Sequence, residues 1–240
     1  MDFENKYFCK GIEILKIKGM FAKEIMSDVI PALRTSDTGL KALSYMDIFR
    51  ISHMPIVNNL EFLGLISDKD IYDLNMADEP LGNHALSLQR PYVLANQHIY
   101  QVVEQVARLD LTVIPVLDEK KYYLGVITLH SLVKYFAELL AVKNPGAIIV
   151  LELNMNDYSL AHISQIVESN DAKILSMYIS SSPDTTKVDV TLKLNVTDMT
   201  SIIQTFNRYN YIIKASFMES DAMNQLLDDR YELFMRFLNI

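Results

Sequence analysis

The chain has 240 residues, of which half are hydrophobic and 22% are charged, and this composition fits a protein with a packed core. Its net charge of −8 argues against broad binding to nucleic acid or to anionic membranes, although a local basic pocket remains compatible with it. The single cysteine, Cys9, excludes an internal disulfide, and no apolar run is long enough to span a bilayer.

Residues 1–19 are an N-terminal extension without a clear partner in the rest of the pattern. Acidic residues lie among its lysines and it lacks a small-residue cleavage site, so it is a poor signal peptide and we expect a soluble cytoplasmic protein. The patterned region opens at Met20, and the sequence leaves open whether translation starts there or at Met1.

The first patterned unit covers residues 20–78 and begins with a short helical pattern. Because Pro31 disfavours helix in the residue before it, the segment 30–33 is predicted to be extended. Ser36 or Asp37 is predicted to cap the helix that follows. The apolar stripe of that helix recurs every three residues: Leu40, Leu43, Met46 and Phe49.

Two short apolar strands follow, over 54–57 and 62–66, and a helix is predicted to begin near Ser67. The second unit, residues 79–143, starts with a polar connection and then repeats the order strand, helix, strand, strand, helix. Its first helix has one apolar face: Ile99, Val102, Val103 and Val106. Its other elements are predicted at 92–94, 113–117, 123–127 and 129–142.

The two units carry the same motif at nearly the same spacing. In each, an apolar-Pro-apolar strand precedes a glycine, two apolar residues, a hydroxyl residue and a helix. The prolines, Pro55 and Pro115, are 60 positions apart, and the hydroxyl residues, Ser67 and Thr128, are 61 positions apart. A repeat of this kind indicates two copies of one structural unit.

A third unit begins after the break at Asn144-Pro145-Gly146, which marks the predicted domain boundary. Residues 147–218 follow the order βαββαβ, which is typical of a ferredoxin-like split unit. Strict alternation over 188–196 predicts a half-buried strand with one wet face, and pairing of its edge with another subunit stays open as an alternative. Residues 219–240 form a predicted last helix with one apolar stripe: Leu227, Tyr231, Phe234 and Leu238.

On these motifs, the first two units resemble a tandem pair of CBS domains, also called a Bateman module. The signature is the apolar-Pro-apolar strand followed by Gly-apolar-apolar-Ser/Thr-x-x-Asp, twice at matched spacing. The third unit resembles an ACT-like domain on its βαββαβ order alone. The whole arrangement is similar to stand-alone regulatory proteins of the acetoin-utilisation protein B type. We therefore expect an α/β and α+β fold, with a tandem CBS-domain pair followed by a ferredoxin-like (ACT-like) βαββαβ domain.

The resemblance implies an adenosine-containing ligand, such as AMP, ADP or ATP, in a cleft between the repeats. It assigns the Ser67 hydroxyl and His53 to phosphate and the Asp70 carboxylate to the ribose hydroxyls. These residue types suit that chemistry, because a helix start attracts anions and a carboxylate can accept from both hydroxyls. Backbone groups of the preceding strand are implied to meet the adenine: Met54, Pro55 and Ile56. Three basic residues of the first unit are further candidates for phosphate contacts: Arg34, Arg50 and Lys69.

The second copy departs from this pattern. Thr128 keeps the hydroxyl and is a candidate nucleotide contact, but Ser131 stands where the ribose-binding Asp belongs. Val113 stands where the first copy has its basic residue. We therefore expect one competent nucleotide site and one degenerate site.

Each candidate residue also has a structural interpretation. Ser67-x-x-Asp70 is a capping box as well, and a capping box stabilises a helix start without any ligand. A histidine before an apolar strand, such as His53, is more often an ordinary edge histidine than a phosphate ligand, and Pro55 and Pro115 are compatible with edge-strand prolines. Asn156-Asp157 lies where the ACT family often binds amino acids, but the family's nearby glycine is missing, so we expect a cap there. The other histidines have no metal-ligand spacing: His84, His98, His130 and His162.

The sequence contains no nucleophile elbow, P-loop or zinc signature, and no enzyme activity is expected from it. We expect a non-catalytic regulatory protein that senses an adenosine-containing ligand and relays it to a partner or to the ACT-like domain. Two alternatives stay open: a dimerisation or interaction scaffold without nucleotide binding, and amino-acid sensing by the ACT-like domain. A cyclic dinucleotide and S-adenosylmethionine also remain open as ligands. We expect a homodimer and an unidentified protein partner, with no nucleic acid and no membrane.

Overall fold

The computed structural model describes residues 21–73, 77–83, 90–181 and 186–218. The chain divides into two compact units between Tyr135 and Phe136, which lies before the predicted boundary at Asn144-Pro145-Gly146. The predicted N-terminal extension (1–19) and C-terminal helix (219–240) lie outside the described residues.

The first unit contains both repeats except the end of their last helix, and each repeat provides an antiparallel hairpin. The first repeat runs through α1 (Ala22–Ile25), α2 (Gly39–Phe49), β1 (His53–Asn58), β2 (Glu61–Ser67) and α3 (Asp68–Asp73). The second runs through β3 (Val93–Leu94), α4 (Ile99–Leu109), β4 (Val113–Leu117), β5 (Tyr123–Thr128) and α5 (Leu129–Leu139). Strand β1 pairs with β2, while β4 lies between parallel β3 and antiparallel β5.

The two hairpins have the same register. Pro55 lies opposite Leu65, and Pro115 lies opposite Val126. In each hairpin, the register shifts between the first and the second residue after the proline. The repeat predicted from the sequence is therefore a structural repeat. Its predicted extended piece at 30–33 is reduced to one bridge, in which Leu33 exchanges hydrogen bonds with the backbone of Pro55 and Val57.

The glycine of the second motif is explained by a close backbone approach. Ser27 and Val126 exchange two backbone hydrogen bonds of 2.8 and 3.0 Å. A Cβ atom on Gly125 would lie 2.7 Å from the carbonyl oxygen of Ser27. A side chain at this position would push the two backbones apart, so the motif needs glycine here.

The two repeats bury their apolar faces in one continuous core. The strands supply its centre, where the central side chains are fully buried: Met54, Ile56, Ile66, Ile114 and Ile127. Helix α4 buries Ile99, Val102 and Val106, as its apolar periodicity predicts.

The predicted details of α2 were wrong in two respects. Its N-cap is Thr38, whose hydroxyl accepts from the backbone N–H of Lys41, and not Ser36 or Asp37. Leu40 is 54% exposed. The buried face instead follows the spacing i, i+3 and i+7: Gly39, Ala42 and Met46. A stripe that recurs every three residues drifts around a helix of 3.6 residues per turn, so it cannot all face the core.

The second unit has the predicted βαββαβ order. Its elements are β6 (Ile148–Asn154), α6 (Leu160–Glu168), β7 (Ile174–Ser181), β8 (Lys187–Leu194), α7 (Thr200–Arg208) and β9 (Ile212–Phe217). The strands form an antiparallel sheet in the order β7-β8-β6-β9. Its core lies between one sheet face and the two helices, where Ile149, Leu192 and Phe206 are fully buried.

The alternating strand predicted at 188–196 lies in the middle of this sheet. Strand β8 pairs with β6 on one side and with β7 on the other, so it has no free edge for another subunit. The alternation correctly predicted a strand, but strand order depends on contacts between distant segments. Thr191, on the predicted wet face, is only 9% exposed.

Two kinds of feature are absent from the described residues. No described helix has the length and apolarity needed to cross a bilayer. In the same part of the chain, no group of three His, Cys, Asp or Glu side chains is placed to hold a metal ion.

Candidate functional site

A cavity of about 220 Å³ in the first unit brings together three of the predicted site residues. His53, Ser67 and Asp70 line it from the first repeat. The remaining lining residues are apolar and come from both repeats: Leu65, Pro91, Leu109 and Leu111. The cavity therefore combines an apolar wall with a hydroxyl, a carboxylate and an imidazole.

Ser67 and Asp70 form a reciprocal capping box at the start of α3. The Oδ2 atom of Asp70 accepts from the backbone N–H and the hydroxyl of Ser67, at 2.8 and 2.7 Å. The Ser67 hydroxyl in turn accepts from the backbone N–H of Asp70 at 3.1 Å. These bonds satisfy N–H groups that the first turn of a helix leaves unpaired.

The capping box leaves part of Asp70 available for a ligand. Its Oδ1 atom has no hydrogen-bond partner among the residues that the structure describes, and the side chain is exposed. An ionised carboxylate oxygen has two acceptor sites. The same side chain can therefore hold the helix start with Oδ2 and accept from ligand hydroxyls with Oδ1.

His53 is fixed by a residue of the second repeat. Its Nδ1 atom lies 3.1 Å from the hydroxyl oxygen of Thr112 and accepts from the backbone N–H of Thr112 at 3.4 Å. Burial lowers the pKa of His53 below its ordinary value, and the carboxylates of Asp68, Asp70 and Asp110 offset only part of this effect. Burial therefore favours the neutral form of His53.

The predicted adenine-binding strand residues do not line the cavity. Met54, Pro55 and Ile56 are buried in β1, and the carbonyl of Pro55 accepts from the backbone N–H of Leu33 at 2.8 Å. One backbone edge of this strand is thus engaged by Leu33 at the proline.

The other predicted contacts also lie apart from the cavity lining. Lys69 is exposed on α3, and Arg50 pairs with Asp47 at 3.0 Å. Thr128 forms the second repeat's own capping box, in which its N–H donates to the Ser131 hydroxyl at 3.1 Å and its hydroxyl accepts from the Ser131 N–H at 3.0 Å. Ser131 thus replaces the capping role of Asp70 but supplies no carboxylate.

The apolar wall that the second repeat contributes was missed at the level of sequence. The repeat spacing of 60 positions relates these residues to counterparts in the first repeat. Pro91 corresponds to Pro31, Leu109 to Phe49 and Leu111 to Ile51. They are unremarkable as single residues, because a leucine at the end of a helix is usually a core residue.

A basic groove that adjoins the cavity was missed as well. Pro91 and Leu109 line both spaces, and the groove, of about 600 Å³, also contains Arg90 and Arg108. Arg108 donates to the side chain of Gln105 at 3.2 Å. Within the described ranges, neither arginine is paired with a carboxylate.

A second polar cavity, of about 310 Å³, lies in the second unit. It is lined by charged and aromatic side chains from the end of β6, from α6, from the start of β8 and from the segment before β9: Glu152, Asp157, His162, Lys187, Tyr209 and Tyr211. Lys187 pairs with Glu152 at 2.7 Å, and the Nδ1 atom of His162 lies 2.8 Å from the Tyr211 hydroxyl. Asp157 accepts from the amide of Asn154 at 2.8 Å.

Comparison with known proteins agrees with the duplicated unit. The family model described as the CBS domain matches residues 22–76 and residues 86–138. The chain contains a tandem pair of CBS domains. The two matches coincide with the two structural repeats and include the Ser67–Asp70 and Thr128–Ser131 boxes.

Several solved structures resemble about half of this chain. One is a CBS domain pair/ACT domain protein from Thermotoga maritima, with 22% identity and a TM-score of 0.45, over 50% of this chain and 99% of that one. Another is CBSX2 in complex with AMP, with 14% identity and a TM-score of 0.44, over 50% of this chain and 98% of that one. A third is the CBS domains of a transcriptional regulator from Streptococcus pneumoniae, with 19% identity and a TM-score of 0.43, over 48% of this chain and 98% of that one.

Proposed function

We propose that this protein is a non-catalytic regulator whose CBS pair binds an adenine nucleotide. The observation that carries the proposal is the cavity in which His53, Ser67 and Asp70 meet an apolar wall from the second repeat. A nucleoside needs an apolar slot for its base and polar groups for its ribose, and binding pockets typically combine these two features.

The geometry suggests one arrangement of the ligand. The ribose hydroxyls donate to Oδ1 of Asp70, which the capping box leaves open. The base lies against Leu65, Leu109 and Leu111. Phosphate groups avoid the carboxylates of Asp68 and Asp70, and they extend past Leu109 toward Arg90 and Arg108 in the adjoining groove.

Thermal-shift measurements with a ligand series test this proposal. AMP, ADP and ATP should each raise the unfolding temperature of the first unit, because a ligand that binds only the folded state stabilises it. Adenosine, S-adenosylmethionine and a cyclic dinucleotide complete the series and separate the remaining ligand classes. If no adenine compound shifts unfolding at millimolar concentration, the scaffold alternative replaces nucleotide sensing.

The basic groove predicts a preference that depends on phosphate number. Arg108→Gln should weaken ATP binding by about 2- to 5-fold, since an exposed ion pair is worth up to about 1 kcal/mol. AMP binding should change less, because its single phosphate does not reach as far along the groove. Calorimetric titration measures both ligands, with Arg208→Gln in the second unit as the matched control. Equal losses for AMP and ATP would contradict the proposed direction of the phosphates.

The proposed regulator is a homodimer that relays ligand binding to a partner protein or to the second unit. Helix α5 exposes 49% of Leu129 and 60% of Val133, and apolar side chains exposed along one helix are candidates for a protein interface. Light scattering should report a dimer at micromolar concentration, and Val133→Glu should shift it toward monomer while Lys134→Glu should not. A wild-type monomer, with and without nucleotide, would rule this assembly out.

The second unit is proposed to be the ACT-like domain, and its cavity favours a second candidate function. Asn154, Asp157 and the Lys187–Glu152 pair offer donors and acceptors of both charges, which suits a zwitterion such as an amino acid. The thermal-shift series extended to the common amino acids tests it. The proposed location of the whole protein is the cytoplasm.

A further inference from the structure

We infer that Thr112 is a positioning residue that holds His53 as a neutral imidazole with its proton on Nε2. Thr112 precedes β4 in the second repeat, whereas His53 opens β1 in the first. The pair therefore joins the two repeats at the cavity itself. The inference about the ring stands without any ligand, and only its consequence for binding rests on the proposed function.

The direction of the hydrogen bonds fixes the proton. The backbone N–H of Thr112 can only donate, and it points at Nδ1 of His53 across 3.4 Å. The backbone N–H of Ser52 donates to the Thr112 hydroxyl oxygen at 3.0 Å, so the hydroxyl hydrogen is free to point at Nδ1, 3.1 Å away. The backbone N–H and the hydroxyl, when it donates, both favour an Nδ1 that accepts, and in a neutral ring the proton then lies on Nε2.

The same arrangement opposes protonation of the ring. An imidazolium carries hydrogens on both nitrogens, and its Nδ1–H would face the N–H of Thr112. The groups that favour protonation are the carboxylates of Asp68, Asp70 and Asp110. Because burial and the facing donors outweigh these carboxylates, His53 offers a ligand one neutral donor, Nε2–H.

The backbone position of Thr112 has a counterpart in the first repeat, Ser52. Ser52 and Thr112 are 60 positions apart. The carbonyl of Ser52 accepts from the N–H of Asp68 at 3.1 Å, and the carbonyl of Thr112 accepts from the N–H of Leu129 at 2.9 Å. Each residue thus holds the helix start of its own repeat, while only Thr112 also reaches across to a histidine, because the second repeat has Val113 in place of His53.

Nuclear magnetic resonance of the imidazole nitrogens in the full chain tests the inference directly. In wild type without ligand, the two nitrogens of His53 should show an unprotonated Nδ1 and a protonated Nε2, and the ring should stay neutral down to a lower pH than an ordinary histidine. Thr112→Val removes the hydroxyl donor with little change in size but keeps the backbone N–H and the burial of the ring. The preference for the Nε2–H tautomer should therefore weaken, and the pKa of His53 should rise part of the way to its ordinary value. Thr112→Ser keeps the hydroxyl and should behave as wild type. A wild-type ring protonated on Nδ1, or identical titrations of Thr112→Val and wild type, would overturn the assignment.

A binding measurement tests whether the neutral state of His53 affects AMP binding. At each pH, the association constant of Thr112→Val for AMP is divided by that of wild type. The titration of the AMP phosphate affects both proteins alike and cancels in this ratio. This ratio should fall as the pH drops from about 7.5 to 6, by at most about fourfold, which is the loss of the neutral form for a histidine that titrates at its ordinary pKa of about 6.5. A constant ratio would overturn the claim that Thr112 keeps the binding histidine neutral. If wild type binds no nucleotide at any pH, the proposed function fails, while the tautomer result stands or falls on its own.

Discussion

Asp70→Asn should weaken the binding of AMP and ATP by roughly 10- to 100-fold. A hydrogen bond to a charged group is typically worth about 1.5–3 kcal/mol, and this substitution removes the charge from the oxygen that faces the ribose hydroxyls. Stability without ligand should change little, because the amide oxygen of the new side chain can still accept from the backbone N–H of Ser67, which lies 2.8 Å from Oδ2 of Asp70. Calorimetric titration of both nucleotides measures the affinity, and thermal unfolding without ligand measures what the helix cap contributes to stability.

Asp73→Asn is the matched control for this experiment. It makes the same change of charge on the same helix, at an exposed residue outside the cavity lining. The affinity for AMP and ATP should therefore fall in Asp70→Asn and stay unchanged in Asp73→Asn. If Asp70→Asn binds as tightly as wild type, the ribose role is wrong. If wild type binds no nucleotide and the variant only loses stability, the capping box explains the motif fully.

The converse substitution tests why one site is expected to be competent and the other degenerate. Ser131 already occupies the capping position that Asp70 has in the first repeat, with its hydroxyl 3.1 Å from the backbone N–H of Thr128. Ser131→Asp keeps an acceptor for this cap and adds the missing carboxylate. A second binding event in the titration would show that the carboxylate is the missing element. Unchanged stoichiometry would direct attention to Val113, which cannot replace His53 as a donor.

The parts of the fold that the sequence predicts best are those set by local chemistry. Strand β4 is predicted with its observed bounds, Val113–Leu117, because its apolar run is followed directly by the polar residues of a turn. The repeat then transfers the same interpretation to β1, whose pattern is interrupted by Asn58-Asn59. Hairpins suit this approach because their register depends on the few residues around one turn.

The failures concern information that no single segment contains. The alternation of 188–196 predicts a strand, but it predicts neither the burial of Thr191 nor the central position of β8, which depends on its pairing with β6 and β7. In the same way, Ser67 and Asp70 are visible as a motif three residues apart, whereas the Leu109 and Leu111 wall is formed by the other repeat. A cleft between two repeats therefore has one side that a motif search can detect and one side that only packing reveals.

Thr38 illustrates the remaining kind of error. Thr38, Asp37 and Ser36 are all residues that favour an N-cap, so composition cannot choose among them. The structure assigns the cap to Thr38, while Asp37 accepts from the backbone N–H of Arg34 at 2.8 Å and pairs with Lys41 at 2.7 Å. Thr38 and Asp37 are thus engaged in different local bonds, and the choice depends on where the chain turns into the helix.

Gly146→Ala should destabilise the second unit by about 3 kcal/mol or more, the upper range for a strained backbone position. Gly146 has φ of 148°, a conformation that residues with a side chain rarely adopt, and its added Cβ would lie 1.9 Å from the carbonyl oxygen of Leu194. That carbonyl cannot easily move away. The next residue, Ala147, is bonded to the backbones of Leu194 and Val196 at 2.9 and 2.7 Å, and these bonds join β6 to β8.

The clash should therefore open the sheet where β6 begins, in the middle of its strand order β7-β8-β6-β9. A loss of about 3 kcal/mol in a unit of this size lowers the unfolding temperature by more than about 10 °C. Thermal unfolding measures that shift, and hydrogen exchange should show faster exchange at the amides of β6 and β8 than in the first unit. Asn144→Ala, at an exposed residue two positions earlier, is the control and should stay within about 0.5 kcal/mol of wild type. An unfolding temperature for Gly146→Ala as high as that of Asn144→Ala would mean that the break at Asn144-Pro145-Gly146 is only a flexible connection, whereas the structure packs its glycine against the backbone at the end of β8.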